Sequence, residues 1–197
     1  PDAYVFSFLK HLIPTPLFTL LQPTYHRALS FLGALRYGFP SRGRVGIGVT
    51  GTNGKTTVVE MLHEIFLEAG IPVASQSSVR FKIGDTASEN RYKMTMPGRF
   101  FIQQFLSQAK KAGVKRVILE VTSEGIKQSR HRQIKFAAAV FTNLTPEHIE
   151  SHGSFEAYKN AKGELFASLG REGISVVNLE DYHADFFLSF PAAKKIG

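Results

Sequence analysis

Gly46-Ile-Gly-Val-Thr-Gly-Thr-Asn-Gly-Lys-Thr-Thr57 joins an apolar, strand-like run (Val45 to Val49) to a helical pattern through a loop of small and polar residues. The helical pattern is Val58, Met61, Leu62, Ile65 and Ala69, entered through Gly54-Lys55-Thr56. Strand, glycine-rich loop, Lys-Thr and helix are the physical recipe for a nucleotide phosphate site. Small residues let backbone N–H groups turn inward, and the helix N-terminus adds partial positive charge. Lys55 can reach the β- and γ-phosphates, and the Thr56 hydroxyl can sit on Mg²⁺. The pattern G-x-x-x-x-G-K-[ST] is not met in full, because Val49 occupies its first glycine position. A loop that merely joins strand to helix is the plainer reading, but it would not need Gly-Lys-Thr at the helix entry.

Outward from this loop the sequence alternates. Strands are expected at Val73 to Val79, Val114 to Val121, Phe136 to Phe141 and Ile174 to Val177. Helices are expected from Pro97-Gly98 to about Ala112, over 154–169 and over Tyr182 to Phe190. A hairpin is expected with Phe81-Lys-Ile-Gly-Asp-Thr and Asn90-Arg-Tyr-Lys-Met-Thr as its arms, around a polar tip from Gly84 to Asn90. Such alternation predicts an α/β fold: a mostly parallel sheet with helices on both faces, like a P-loop nucleotide hydrolase. Residues 45–197 form this main domain in the reading. Residues 1–44 form an apolar helical N-terminal segment that Pro14, Pro16 and Pro23 should break into short helices, the last from about Pro23 to Tyr37. Its wide apolar surface has three places to go: the main domain, a further domain, or a membrane surface. Packing on protein is the default.

At 197 residues the chain is long enough to bury a large core without staples. It has no cysteine, which excludes a disulfide scaffold and cysteine zinc sites and fits a cytoplasmic protein. The net charge of +8 rests on scattered Lys and Arg, so phosphate-bearing substrates explain it more simply than nucleic acid. No apolar run is long enough to span a bilayer. The chain starts without Met and stops on Lys194-Lys-Ile-Gly197, which reads like the start of another strand; both ends read as cut.

In open parallel sheets, ligands bind beyond the carboxyl ends of the strands, and the unusual polar residues fall there. Glu120 ends a hydrophobic strand, where a carboxylate is costly unless it is paired or bound to metal. A nucleotide-bound Mg²⁺ is one fit; an arginine partner is the other. His148 follows a buried strand beside Asn143 and Glu147, although imidazole is a poor magnesium ligand. Lys162 shares a helical stripe with Tyr158, Leu165, Phe166 and Leu169. Either it snorkels its ammonium outward, or it is desolvated with a lowered pKa and a nucleophilic amine. The residues alone leave both open.

Six segments together resemble the Mur ligase family, the ATP-dependent ligases that add amino acids to the peptidoglycan precursor. They are Val49-Thr-Gly-Thr-Asn-Gly-Lys-Thr-Thr57, Thr95-Met-Pro-Gly98, Glu120-Val-Thr-Ser-Glu-Gly125 with Gln128-Ser-Arg130, Phe141-Thr-Asn-Leu-Thr-Pro-Glu-His148, His152-Gly-Ser-Phe-Glu-Ala-Tyr-Lys-Asn-Ala-Lys162 and Val177-Asn-Leu-Glu-Asp181. The His152-Gly153 and Ala161-Lys162-x-x-Leu165-Phe166 features are most similar to the branch that extends a UDP-N-acetylmuramoyl-dipeptide to a tripeptide. The glycine missing at Val49 is normal for the family.

The resemblance implies roles. Gly51, Thr52, Asn53, Gly54, Lys55, Thr56, Thr57 and Asn143 would bind ATP. Thr56 and Glu120 would hold one Mg²⁺, and His148 a second. Lys162 would be carbamylated, an anion that helps to position metal; this favours the desolvated reading of that lysine. Thr95, Ser123 and Arg130 would hold the muramoyl-peptide. The pattern departs at Thr122 and Glu124, where the branch commonly has Ser and His. Substrate carboxylate would attack the γ-phosphate of ATP, and an amino-acid amine would then displace phosphate from the acyl phosphate. The implied partners are a nucleotide-sugar peptide and an amino acid, with no nucleic acid, in a monomer.

The family's usual uridine-binding domain is not legible in residues 1–44, and its amino-acid-binding domain would follow Gly197. The chain alone is therefore expected to bind nucleotide without completing ligation. Folylpolyglutamate synthase shares the loop and the fold and is the enzyme alternative; a non-catalytic ATP-binding module is the other.

Overall fold

The computed structural model describes residues 15–197 other than Lys93 and His148, with side chains from Leu21 onward except at Ile149. Helix α1 (Thr15–Arg36) precedes β1 (Val45–Thr50), α2 (Lys55–Glu68) and β2 (Val73–Gln76). A hairpin follows, β3 (Arg80–Ile83) and β4 (Thr86–Glu89), then α3 (Arg99–Lys111) and β5 (Arg116–Glu120). After β5 come α4 (Ser123–Lys127), β6 (Phe136–Phe141), α5 (Ile149–His152) and α6 (Phe155–Ala167). A 3₁₀ turn (Gly170–Glu172), β7 (Ile174–Val177), α7 (Ala184–Leu188) and β8 (Lys194–Ile196) complete the described chain.

The strands form one sheet in the order β4-β3-β2-β5-β1-β6-β7-β8. All pairs from β2 to β8 are parallel, and the hairpin adds two antiparallel strands at one edge. β1 sits in the middle, with Val49 level with Glu120 and Thr50 level with Phe141. The carboxyl ends of β1, β5, β6 and β7 therefore open on one side, the side where parallel sheets bind ligands.

Both faces are covered. Ile102, Phe105, Leu106 and Ala109 of α3 join Ala74, Val117 and Leu119 in one core cluster, which continues through Phe136, Phe141, Tyr158, Leu165, Phe166 and Phe187. The smaller cluster under α2 is built on Val49, Val59, Val73 and Ile118. The helical stripe expected on α2 is rotated: Met61 and Ile65 are exposed, whereas Val59 and His63 are buried. His63 is accommodated by an interaction of Nε2 with the Gly84 carbonyl oxygen at 3.1 Å.

Two further expectations are corrected. The hairpin turns at Gly84-Asp85, and its second arm is Thr86–Glu89 rather than the stretch from Asn90. Pro23 does not start a helix but lies inside α1, which runs unbroken from Thr15 to Arg36. Pro23 is exposed, so its ring points away from the packed side and the helix gives up one backbone hydrogen bond there. Residues 1–14 of the predicted N-terminal segment lie outside the described residues.

α1 packs on α3 through its small residues. A Cβ on Gly33 would lie 3.5 Å from the Arg99 carbonyl oxygen, and Ala34 is fully buried. Ser30 Oγ donates to the Arg132 carbonyl oxygen at 3.1 Å. Leu21, Phe31, Leu32 and Leu35 stay exposed on the other side. Among the described residues no helix is long and apolar enough to cross a membrane.

Candidate active site

The phosphate loop is shaped by two glycines. Gly54 adopts φ +79 as the residue that caps α2, and Gly51 adopts φ +149 with no room for a side chain, since a Cβ would lie 1.9 Å from Thr142 Oγ1. The loop is clamped from the turn after β6. Asn53 N–H donates to Asn143 Oδ1 at 2.8 Å, Thr52 N–H donates to the Asn143 carbonyl oxygen at 2.8 Å, and Thr142 Oγ1 donates to the Asn53 carbonyl oxygen at 2.7 Å. Asn143 thus holds the loop rather than facing away from it. That turn is held in its own place by the segment after β7: Asn178 Nδ2 donates to the Thr142 carbonyl oxygen at 2.9 Å, and Asp181 accepts from Leu144 N–H at 2.7 Å.

Within the loop, Lys55 Nζ folds back to donate to the Thr52 carbonyl oxygen at 2.6 Å. Burial lowers the pKa of Lys55, against the opposing pull of Glu120 and Glu147. Thr56 Oγ1 donates to Glu120 Oε2 at 2.9 Å. Thr57 lies exposed in the first turn of α2.

Glu120 is 2% exposed and, among the described residues, has no arginine partner. Its oxygens accept from Thr56 Oγ1, from Ser78 N–H at 2.8 Å and from Ser78 Oγ at 3.0 Å. Among the described residues its hydrogen-bond donors are all neutral, and the Lys55 and Lys162 charges act on it without a direct ion pair. Paired with the Thr56 hydroxyl, it is a hard-oxygen set of the kind that holds Mg²⁺ together with nucleotide phosphates and water.

Lys162, on α6, is 2% exposed, and its Nζ donates to the Gly51 carbonyl oxygen at 2.6 Å. The ammonium stands 4.5 Å from the Tyr158 ring centroid, and the Tyr158 hydroxyl shares a 3.1 Å hydrogen bond with Thr52 Oγ1. Desolvation first, and then the nearby Lys55 charge, pull the Lys162 pKa down to about 7. The side chain does not snorkel outward.

Ser78 was not visible as a site residue in the sequence, yet it links two regions. Its Oγ shares a 2.7 Å hydrogen bond with Thr95 Oγ1 besides donating to Glu120. Thr95, Ser123 and Arg130 line one cleft of about 420 Å³ with Met94, Met96 and Gln128. Arg130 donates to the Met96 carbonyl oxygen and, at 2.7 Å, to Gln128 Oε1. Burial lowers its pKa despite the nearby Glu124.

The two positions that depart from the family pattern have local partners. Thr122 is the N-cap of α4, its Oγ1 accepting from Gly125 N–H at 3.1 Å, a role serine and threonine hydroxyls share. Glu124 Oε1 lies 3.5 Å from His152 Nε2. His148 falls outside the described residues. The structure therefore gathers Gly51, Thr52, Asn53, Gly54, Lys55, Thr56, Glu120, Asn143 and Lys162 around the loop, and Thr95, Ser123 and Arg130 at the adjoining cleft.

The model of the Mur ligase middle domain matches residues 49–196, three-quarters of the chain and every strand end just described. The chain belongs to this family. Among curated relatives it is 39% identical over 164 residues to the UDP-N-acetylmuramoyl-L-alanyl-D-glutamate–2,6-diaminopimelate ligase of Halalkalibacterium halodurans, an alignment covering 81% of this chain and 33% of that protein. The Chlamydia trachomatis ligase of the same name is 36% identical over 167 residues, 84% of this chain and 34% of that one. The Mur ligase chain thus spans about a third of the length of the curated relatives it matches. A solved structure of the same ligase type superposes with a TM-score of 0.70 at 27% identity, over 86% of this chain and 33% of that chain.

Proposed function

We propose that this Mur ligase chain is the ATP- and Mg²⁺-binding core of an enzyme that joins an amino acid to the carboxylate of a UDP-N-acetylmuramoyl-dipeptide. The observation that carries this reading is the convergence on one loop of Thr56–Glu120 and of the buried Lys162. A loop that only bound nucleotide would not require a desolvated amine at its base. The names of the relatives support the same substrate, UDP-N-acetylmuramoyl-L-alanyl-D-glutamate.

Each residue has a task in this reading. Backbone N–H groups from Gly54 to Thr57 receive the phosphates while those of Thr52 and Asn53 stay on Asn143, and Lys55 exchanges its bond to the Thr52 carbonyl oxygen for a phosphate oxygen. Thr56 and Glu120 would hold Mg²⁺, which neutralises charge on the phosphates when bound. Lys162 is an amine at neutral pH for part of its population, able to add CO₂ at Nζ and, releasing a proton to solvent, become a carbamate beside Gly51. His148 is assigned to a second Mg²⁺ on family resemblance.

Thr95, Ser123 and Arg130 orient the muramoyl-dipeptide so that its free carboxylate faces the γ-phosphate. The carboxylate oxygen attacks the γ-phosphorus and the bond to the β-phosphate oxygen breaks, giving acyl phosphate and ADP. The amine of the incoming amino acid then adds to the acyl carbon, loses a proton, and inorganic phosphate leaves. Residues 1–44 and 45–197 are read as an N-terminal helical segment and the central domain.

Hydroxylamine trapping tests the first half-reaction. With ATP, Mg²⁺ and UDP-N-acetylmuramoyl-L-alanyl-D-glutamate, the expected product is the acyl hydroxamate together with ADP. ADP without hydroxamate, or hydroxamate formed equally well by Lys162→Ala, would contradict the assignment.

A further inference from the structure

The outer side of α1 stays uncovered by the described residues. At 3.6 residues per turn, Leu21, Thr24, Ala28, Phe31, Leu32 and Leu35 fall on one stripe. All are exposed, and Leu21, Phe31, Leu32 and Leu35 keep 47–54% of their surface open. His26, Ser30, Gly33 and Ala34 are buried on the opposite side, where α1 meets α3.

The apolar stripe continues past the helix end. Gly38, at φ +64, and Phe39, at φ +48, turn the chain back. Gly38 N–H donates to the Leu35 carbonyl oxygen at 3.1 Å, and Phe39 N–H to that of Ala34 at 2.7 Å. The turn sets the Phe39 ring edge-on to Phe31, with centroids 5.7 Å apart. A left-handed backbone is costly for phenylalanine, so the two hydrogen bonds and the ring contact hold it there.

Charge of one sign surrounds this face. Arg27 and Arg36 are exposed on the two edges of the stripe, each about 90° from its centre. Arg42, also exposed, lies over the Phe39 ring with its guanidinium carbon 4.2 Å from the centroid. No Asp or Glu occurs between Asp2 and Glu60. A second copy packed on the same stripe would bring the arginines of both chains together with no acid to meet them. Anionic lipid uses every one of these features. Apolar side chains enter the acyl boundary, and arginines at the edges stretch along their stems to the phosphates.

We propose that the outer face of α1, built on Leu21, Phe31, Leu32 and Leu35 and edged by Arg27, Arg36 and Arg42, docks this chain on an anionic lipid surface. The helix lies in the plane of the interface and does not span it. The docking is independent of the reaction proposed at the phosphate loop.

The chain has no tryptophan, so Phe31→Trp puts a single reporter on this face. Met61→Trp, at an exposed position on α2 across the sheet, is the control. The whole chain is mixed with vesicles of phosphatidylcholine containing phosphatidylglycerol, or of phosphatidylcholine alone. The parent should co-sediment with the anionic vesicles far more than with the neutral ones, and added salt should weaken this binding. Phe31→Trp emission should move to shorter wavelength on the anionic vesicles, and Met61→Trp emission should not. Arg27→Gln/Arg36→Gln and Leu32→Ser/Leu35→Ser change only exposed positions. Each, checked for an unchanged melting temperature, should lose at least about tenfold in partitioning to anionic vesicles. No binding to either vesicle, equal binding to both, or undiminished binding of the leucine variant would overturn the proposal. So would Phe31→Trp emission already at short wavelength without vesicles, or a parent that dimerises where the leucine variant does not, because protein would then cover the face.

Discussion

Lys162 Nζ hydrogen-bonds the Gly51 carbonyl oxygen at 2.6 Å, joining residues 111 positions apart in the chain. The contact ties α6 to the first residue of the loop and leaves a desolvated amine beneath the loop proposed to hold the nucleotide. Burial holds the Lys162 pKa at about 7, well below its ordinary 10.5. Between these values the unfolded chain binds the extra proton, so this group makes stability rise with pH through that window. Its burial penalty is fully present below pH 7. Lys162→Met should flatten the pH dependence of the unfolding free energy between pH 7 and 10 by about one proton, measured by urea titration at several pH values. Parallel pH profiles for parent and variant would refute the lowered pKa.

Gly51 makes the close approach possible. Gly51→Ala would bring a methyl group to 1.9 Å from Thr142 Oγ1 at a backbone φ of +149. We expect a loss of at least about 2 kcal/mol in stability and no thermal shift with ATP. Thermal melts with and without nucleotide check both. Gly54→Ala, where nothing lies within 4 Å, should be disfavoured by its φ of +79 alone and so be milder.

Ser78 connects the Glu120 carboxylate to Thr95. Ser78→Ala leaves the backbone N–H to Glu120 in place and removes two hydroxyl bonds. Stability should fall by about 1 kcal/mol, while acyl-phosphate formation should drop by tenfold or more. A variant that is destabilised but fully active would make Ser78 a structural residue only.

In the proposed function Thr56 and Glu120 hold the metal. ATP with Mg²⁺ should raise the melting temperature of the parent, and EDTA should abolish most of that rise. Glu120→Gln should respond to ATP much as the parent does in EDTA. A Glu120→Gln protein stabilised by Mg²⁺-ATP as strongly as the parent would contradict the assignment.

Much of this was legible in the sequence, for identifiable reasons. The Gly51–Thr57 loop and the strands at Val45, Phe136 and Ile174 were readable because loop chemistry and buried parallel strands leave dense local signals. β4 was misplaced because all four of its residues are exposed at the sheet edge, so no alternation marks it. The buried side of α2 was misjudged because the sheet docks beside Met61 and Ile65, and only the tertiary contact decides which stripe is covered. Pro23 reads as a helix start, yet an exposed proline is tolerated within α1. Among the site residues, Lys55, Glu120 and Lys162 stood out because charge at a strand end or on an apolar stripe is anomalous. Ser78 did not, since its meaning comes from Glu120, 42 positions away. Asn178 and Asp181 were part of a recognisable segment, but their work of bracing the Thr142–Leu144 turn needed the fold.

The fold is shared more widely: a solved structure of E. coli FolC in complex with DHPP and ADP superposes with a TM-score of 0.64 at 21% identity, over 84% of this chain and 45% of that chain. In the proposed function the substrate is told apart at the cleft lined by Thr95, Ser123 and Arg130. The most direct test is a paired titration, with a non-hydrolysable ATP analogue and Mg²⁺ present, of UDP-N-acetylmuramoyl-L-alanyl-D-glutamate and of tetrahydrofolate. The muramoyl-peptide should bind, with an affinity that Arg130→Ala reduces at least about tenfold, and tetrahydrofolate should not. Saturable binding of tetrahydrofolate with none of the muramoyl-peptide would contradict the account.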